Sequence, residues 1–230
     1  MMKIDFTRPI LAIDTSTSFL SLALLSGSLK HTFHEEVGNA QSQQILPQIQ
    51  SLLQKAELQI ADLGAIVYAQ GAGAFTGLRI GIGVAQGLAT PFDLPLIGVP
   101  CLDAVAYQMP DCESVLAATD ARMGEVFYAW FDTKNHRRLS DYSVGKASEI
   151  RLPENTSPDK VRGVGNAFAL ENAPPFSGSP NMPTAQDYAI LAQTGRYAAT
   201  SAAFAELLYV RDKIALTAAE QMAKKQQMGV

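Results

Sequence analysis

The sequence is poor in charge and in the residues that equip most active centres. Charged side chains make up 17% of its 230 residues, against a usual figure of about 25%. Two cysteines and three histidines are present, and Cys101 and Cys112 make neither a disulfide framework nor a four-ligand zinc site. No run of about 18 consecutive apolar residues occurs, so no segment is predicted to span a membrane. The start, Met1 to Pro9, lacks a long apolar stretch with a cleavage motif, and a cytoplasmic location is the default expectation. A basic excess is missing too. With 18 basic against 22 acidic residues the net charge is −4, the wrong sign for a chain that grips nucleic-acid phosphates unaided.

Apolar residues are plentiful instead, at 47%, which excludes a disordered or fibrous chain. The length fits one large domain or two small lobes. So few charges leave apolar surface exposed or covered by another chain.

Ile10 to Asp14 is a short apolar run ending in a carboxylate. The polar link Thr15-Ser16-Thr17-Ser18 and a second run, Phe19 to Leu25, complete the pattern of an antiparallel hairpin. Leu29 to Val37 alternates as a third strand. Over Gln41 to Leu58, Ile45, Leu46, Ile49, Leu52, Leu53 and Ala56 recur at helical spacing, with Ser42 as a start signal and Pro47 near the beginning. Asp62 to Ala69 reads as a buried strand, Thr76 to Ala89 as a helix, Leu94 to Val99 as a strand, and Asp103 to Tyr107 as the start of another helix. Ser114 to Thr119, the turn Asp120 to Glu125, and Val126 to Asp132 repeat the opening pattern, so the halves are expected to be structural repeats. Six prolines between Leu152 and Thr184 mark the most loop-like stretch. Thr184 and Asp187 form an N-terminal box for a helix running through Ile190, Leu191 and Tyr197.

The strongest local signal is strand, glycine-rich turn, helix: Gly71, Gly73 and Gly77 ahead of Gly81, Gly83 and Gly87. Such a turn can present backbone N–H groups to an anion, or simply feed a closely packed helix. It is not a Walker loop, because no Gly-Lys-Ser/Thr follows, and its glycines are too widely spaced for a dinucleotide fingerprint. Asp14 with Thr15, Ser16 and Thr17 likewise reads as a holder for a magnesium-bound phosphate or as an ordinary hydroxyl-rich turn. His31 and His34, three apart on a strand, point to opposite faces. His136 reads as a solvated loop residue. No metalloprotease helix motif and no serine nucleophile elbow occur.

Three stretches together resemble the bacterial TsaB (YeaZ) family: Ile10 to Thr17 with its returning strand, Tyr68 to Gly83 continuing to Val99, and Asp120 to Val126. The resemblance implies an α/β, actin/Hsp70-like (ASKHA) fold of two lobes, each a mixed β-sheet with flanking helices. The lobes are expected at residues 1–103 and 104–216, with a flexible tail at 217–230. It also implies a non-catalytic subunit needed to form threonylcarbamoyladenosine next to the anticodon of tRNA. That subunit would pair with the paralogous transferase TsaD, join the ATPase TsaE, reach tRNA only through the complex, and dimerise with itself when alone. No cofactor or metal is implied, save a nucleotide or magnesium at an interface shared with the partner. The partner interface is expected on the first-lobe helices, at Ile45, Leu46, Ile49, Leu53, Arg79, Gly81, Gly83 and Gly87. Asp14, Thr15, Ser16, Gly71, Gly73, Thr76 and Gly77 would be vestigial phosphate loops, with no catalytic residue. Where the family usually has proline, serine and histidine, this chain has Ala72, Ala74 and Gln41. The alternative is an ATP-dependent phosphotransferase or a glycoprotease-like peptidase, with Asp14 and Asp120 meeting in the cleft.

Overall fold

Two mixed sheets form the body of the protein, seen in a computed structural model that describes residues 2–154 and 156–210. In chain order the first sheet supplies β1 (Ile10–Asp14), β2 (Phe19–Ser26) and β3 (Leu29–Glu36). Then come helix α1 (Gln41–Lys55), β4 (Ala65–Gly71), α2 (Phe75–Ala89), β5 (Leu96–Pro100) and the short α3 (Cys101–Ala106). The second sheet follows with β6 (Val115–Arg122), β7 (Glu125–Asp132), β8 (Arg137–Arg138), β9 (Ser143–Gly145), β10 (Arg162–Val164) and β11 (Gly178–Ser179). Last are α4 (Ala185–Gln193) and β12 (Ala199–Thr200).

The expected repeat is visible in the pairing. In the first sheet β1 runs antiparallel to β2 and parallel to β4. In the second, β6 runs antiparallel to β7 and parallel to β10. The first crossover, from hairpin to parallel strand, contains α1. The second contains only β8, β9 and single turns, and the proline-rich stretch enters it only near its end, with Pro153 and Pro158. That stretch still contributes two short strands, β10 and β11, where only a loop was expected. Its apolar residues Leu152, Leu170 and Phe176 pack over the outer face of the second sheet, around Trp130 and Ile150.

Alternation along β1 and β4 divides the first core in two. Leu11, Ile13 and Ile66 point towards α1 and α2, while Ile10, Ala12, Ala65 and Val67 point towards α3 and α4. All are essentially inaccessible to water. At roughly 1.5 to 3 kcal/mol for each large aliphatic side chain, this two-sided burial is the main source of first-lobe stability. α3 serves both lobes: Cys101 and Ala104 face the first core, Leu102 and Val105 the second.

Several boundaries move. α1 begins at Gln41 itself, with no side-chain cap at Ala40, so Ser42 is not its start. Pro47 lies inside the helix rather than at its first turn, on the exposed side, where water can take the carbonyl of Gln43 that its missing N–H leaves unpaired. The Thr184–Asp187 box is formed as expected, but α4 stops at Gln193, ahead of a left-handed Gly195, so Tyr197 lies beyond the helix. A cut at residue 103 does not follow sheet membership. α4 packs on β1 and β2, and β12 closes the first sheet against β5. The chain thus returns to the first lobe after building the second. The tail expected at 217–230 lies outside the described residues.

Candidate functional site

The two hairpins face each other across a cleft of about 300 Å³. One wall holds Ser16, Thr17, Ser18, Gly73, Ala74 and Phe75; the opposite wall holds Asp120, Arg122 and Asn166. Leu208, Tyr209 and Val210 close one side. This is where the sequence placed its two loops, and most of their groups are already engaged inside the chain.

Ser16 and Gly73 reach the cleft, but Asp14 and Thr15 do not line it. Asp14 accepts a hydrogen bond from the Ser16 N–H at 2.8 Å, and burial raises its carboxyl above the ordinary range despite that bond. The Thr15 hydroxyl donates to the Gly77 carbonyl at 2.8 Å. The Ala74 N–H donates to the Ser16 carbonyl at 2.7 Å. A β-carbon at Gly77 would collide with the Thr15 carbonyl, and one at Gly81 with the Thr15 hydroxyl. Gly71 is buried against the Leu208 carbonyl, whereas Thr76 is exposed on α2. Gly77 and Gly81 thus serve a close approach between the first hairpin turn and α2.

Gln41 explains its own presence. Its side-chain amide donates to the carbonyls of Thr17 and Phe19, each at 2.8 Å, and so fixes the hairpin turn from the first residue of α1. Behind the turn Cys101 is fully enclosed with Tyr188 and Ser16, and burial, then the nearby Asp14, pushes its thiol up to about 12. Such a thiol is not a nucleophile at neutral pH. Across the cleft Asp120 accepts from the Arg122 N–H at 2.7 Å and pairs with its guanidinium at 3.2 Å. Asp14 and Asp120 therefore do not converge as free carboxylates. The donor set does not fit a magnesium triphosphate: one acid is buried, the other paired, and the Thr15 hydroxyl is bonded. Among the described residues no group of three or more His, Cys, Asp or Glu side chains is placed to hold a metal ion.

The proposed helix surface must be redrawn. Ile45, Ile49 and Leu53 are 1%, 2% and 7% exposed and pack with Leu20, Leu22 and Leu24 of the chain's own sheet. An amphipathic helix beside a sheet buries its apolar stripe there first, so these three residues are core and not interface. Gly81 also turns inward, to Thr15. What α1 and α2 leave outside is Leu46, 51% exposed, with Arg79, Gly83 and Gly87. Among the described residues, nothing lies within 4 Å of where a side chain at Gly83 or Gly87 would stand. The division between glycines with an internal use and glycines without one among the described residues thus falls between Gly81 and Gly83.

Sequence reasoning missed a polar cluster where the lobes join. Asp103 accepts from the hydroxyls of Tyr142 at 2.5 Å and Tyr197 at 3.0 Å. Tyr107 accepts from Arg196 at 2.7 Å and bonds His136 Nδ1 at 3.1 Å, with the two rings stacked. His136 is an exposed turn residue, as its polar surroundings suggested, and it also bonds Tyr107. The only available signal was the clustering of tyrosine with charge in segments far apart along the chain. His34, on β3, stacks on Phe19 at 4.7 Å.

The family model of TsaD, tRNA N6-adenosine threonylcarbamoyltransferase, matches residues 33–225. The tRNA threonylcarbamoyladenosine biosynthesis protein TsaB of Escherichia coli is 44% identical over 123 residues, 52% of this chain and 53% of that protein. The chain thus matches about half the length of that relative. TsaB of Buchnera aphidicola subsp. Baizongia pistaciae is 35% identical over 167 residues, covering 71% of this chain and 74% of its own length. The solved structure of YeaZ from Pseudomonas aeruginosa superposes with a TM-score of 0.78 at 30% identity, over 88% of this chain and 99% of that one. With the paired hairpins, the cleft between two mixed sheets and these likenesses, the chain belongs to the TsaB (YeaZ) family and has the two-lobed actin/Hsp70-like fold.

Proposed function

We propose that this protein acts in tRNA threonylcarbamoyladenosine formation as a non-catalytic subunit that pairs with TsaD and assembles with TsaE. The observation that carries the reading is the outer face of α2. Gly83 and Gly87 each cost up to about 1 kcal/mol of helix stability relative to alanine, and no packing among the described residues uses them. A second helix approaching closely would use them, with Leu46 adding apolar contact. The match to the TsaD family model supports a paralogous partner, since related lobes can present equivalent helices to each other. The same face would join two copies of this chain when TsaD is missing.

The engaged state of Asp14, Thr15 and Asp120 supports the non-catalytic half of the proposal and disfavours a phosphotransferase. The acidic balance supports contact with tRNA through the complex and not through this chain alone. Co-purification with TsaD tests the pairing directly. Gly83→Trp is expected to abolish the complex while leaving the melting temperature of the isolated chain unchanged. An intact complex would overturn the proposed face. Tight magnesium-dependent ATP binding by the isolated chain would overturn the non-catalytic reading.

A further inference from the structure

Residues 202–210 leave the end of the first sheet and run back along α2 and β4 to the cleft. They are tied down along their length. Gln86 donates to the carbonyls of Ala202 at 2.9 Å and Ala205 at 3.3 Å. The Tyr68 hydroxyl and the Gln70 amide both donate to the Glu206 carbonyl, at 3.0 and 3.3 Å. The Leu208 N–H donates to the Gln70 carbonyl at 2.8 Å. Ala205 and Leu207 pack into the first core. The segment is a strap whose backbone is held by side chains of α2 and β4 and by one backbone hydrogen bond.

The strap delivers Tyr209 to the start of α2. Its ring lies 5.9 Å from that of Phe75, and the Arg79 guanidinium sits 3.7 Å above the Phe75 ring centre. Tyr209 is 49% exposed, more than a core aromatic would be. Arg79 is exposed and makes no ion pair among the described residues. Phe75, Arg79, Gly83 and Gly87 follow one another at intervals of four, so they lie along one side of α2. The stack is therefore continuous with the glycine face.

We propose that the strap forms one end of the partner surface, with Tyr209 acting as a positioning residue. Tyr209 buttresses Phe75, Phe75 holds the guanidinium by a cation–π contact, and Arg79 meets a carboxylate on the partner. This rests on the α2 reading above, and it adds the chemistry of the contact and the part of the chain that prepares it. A held guanidinium loses less side-chain freedom on binding than a free one, which is how a residue that does not touch the carboxylate contributes to affinity.

Titration of the native chain and its variants with TsaD tests this. Arg79→Gln is expected to weaken binding about tenfold and to flatten its salt dependence, because a charge pair is lost. Tyr209→Ala is expected to weaken binding by a similar factor, and Tyr209→Phe to stay within about twofold, since the ring and not the hydroxyl is used. In the double variant the two losses should fall well short of additive, because Tyr209 acts only through Arg79. Full additivity, or affinities within about twofold of native for both single variants, would overturn the proposal. Gly83→Trp separates it from the underlying reading. If that variant loses the complex while Arg79→Gln and Tyr209→Ala keep it, the face stands and the strap does not. If Gly83→Trp binds normally, the face itself is wrong.

Discussion

Ile49 and Leu46 sit three residues apart on α1, and the structure gives them opposite duties. Ile49 is 2% exposed and packs against the first sheet, whereas Leu46 is 51% exposed. Truncating Ile49 to alanine removes three buried carbons and leaves a cavity between a helix and a sheet that are both held elsewhere. Core changes of this kind cost about 2 to 5 kcal/mol. At roughly 2 to 4 °C per kcal/mol for a chain of this size, a loss of about 3 kcal/mol lowers the melting temperature by some 6 to 12 °C. Leu46→Ala should change stability by no more than about 0.5 kcal/mol, because it removes no enclosed contact. Leu46→Asp should leave the fold intact and disrupt the complex with TsaD. Thermal melting followed by circular dichroism, with co-purification alongside, reads both effects. The reasoning is refuted if Ile49→Ala melts with the native chain while losing its partner, for α1 would then face outward along Ile45, Ile49 and Leu53.

Two further outcomes follow from single sites. Gly87→Ala should stabilise the isolated chain by up to about 1 kcal/mol, since the glycine has an empty surrounding and alanine prefers the helix, while Gly81→Ala should destabilise it by forcing a methyl group onto Thr15; equal signs in a denaturant titration would contradict the division of the α2 glycines. Burial raises the Asp103 carboxyl above its ordinary range, more than its two tyrosine bonds lower it. The folded chain then holds that proton more tightly than the unfolded one, so native stability falls as pH rises from about 3.8, the unperturbed value, through the folded one. Asp103→Asn should gain on the native chain across that window and run parallel above it, and a gap that closes with rising pH would contradict the assignment.

Local pattern made much of this molecule legible. Strand pairs joined by short polar links, at Thr15 to Ser18 and again near Asp120, announced two related hairpins, and the capping box at Thr184 announced the start of α4 to the residue. The apolar row on α1 was equally clear as a row. Its direction was not, because a helical stripe records which side is apolar and not what covers it. Burial of Ile45 and exposure of Leu46 depend on where β2 and β3 lie, which one sequence does not state. The glycines of α2 posed the same problem. Only the position of Thr15, some sixty residues earlier in the chain, separates Gly81 from Gly83. Gln41 was legible only as a departure from the family's usual histidine, and its three carbonyl neighbours show what the amide does. The Asp103 cluster was invisible for a related reason: it joins residues 39 and 94 positions apart.

The late return of α4 and β12 to the first sheet sets the order in which this protein can be completed. Until residues 185–200 have left the ribosome, the side of the first sheet that carries Ile10, Ala12 and Val67 is covered only in part, by α3, Leu78 and the N-terminal Met2, Ile4 and Phe6, and the β5 edge is unpaired. Nascent chain paused after residue 103 would present a half-covered oily sheet with an open border, the kind of surface that recruits chaperones or sticks to its neighbours. A cut near residue 103 would therefore part the first sheet from α4 and β12, the elements that finish its cover and its edge.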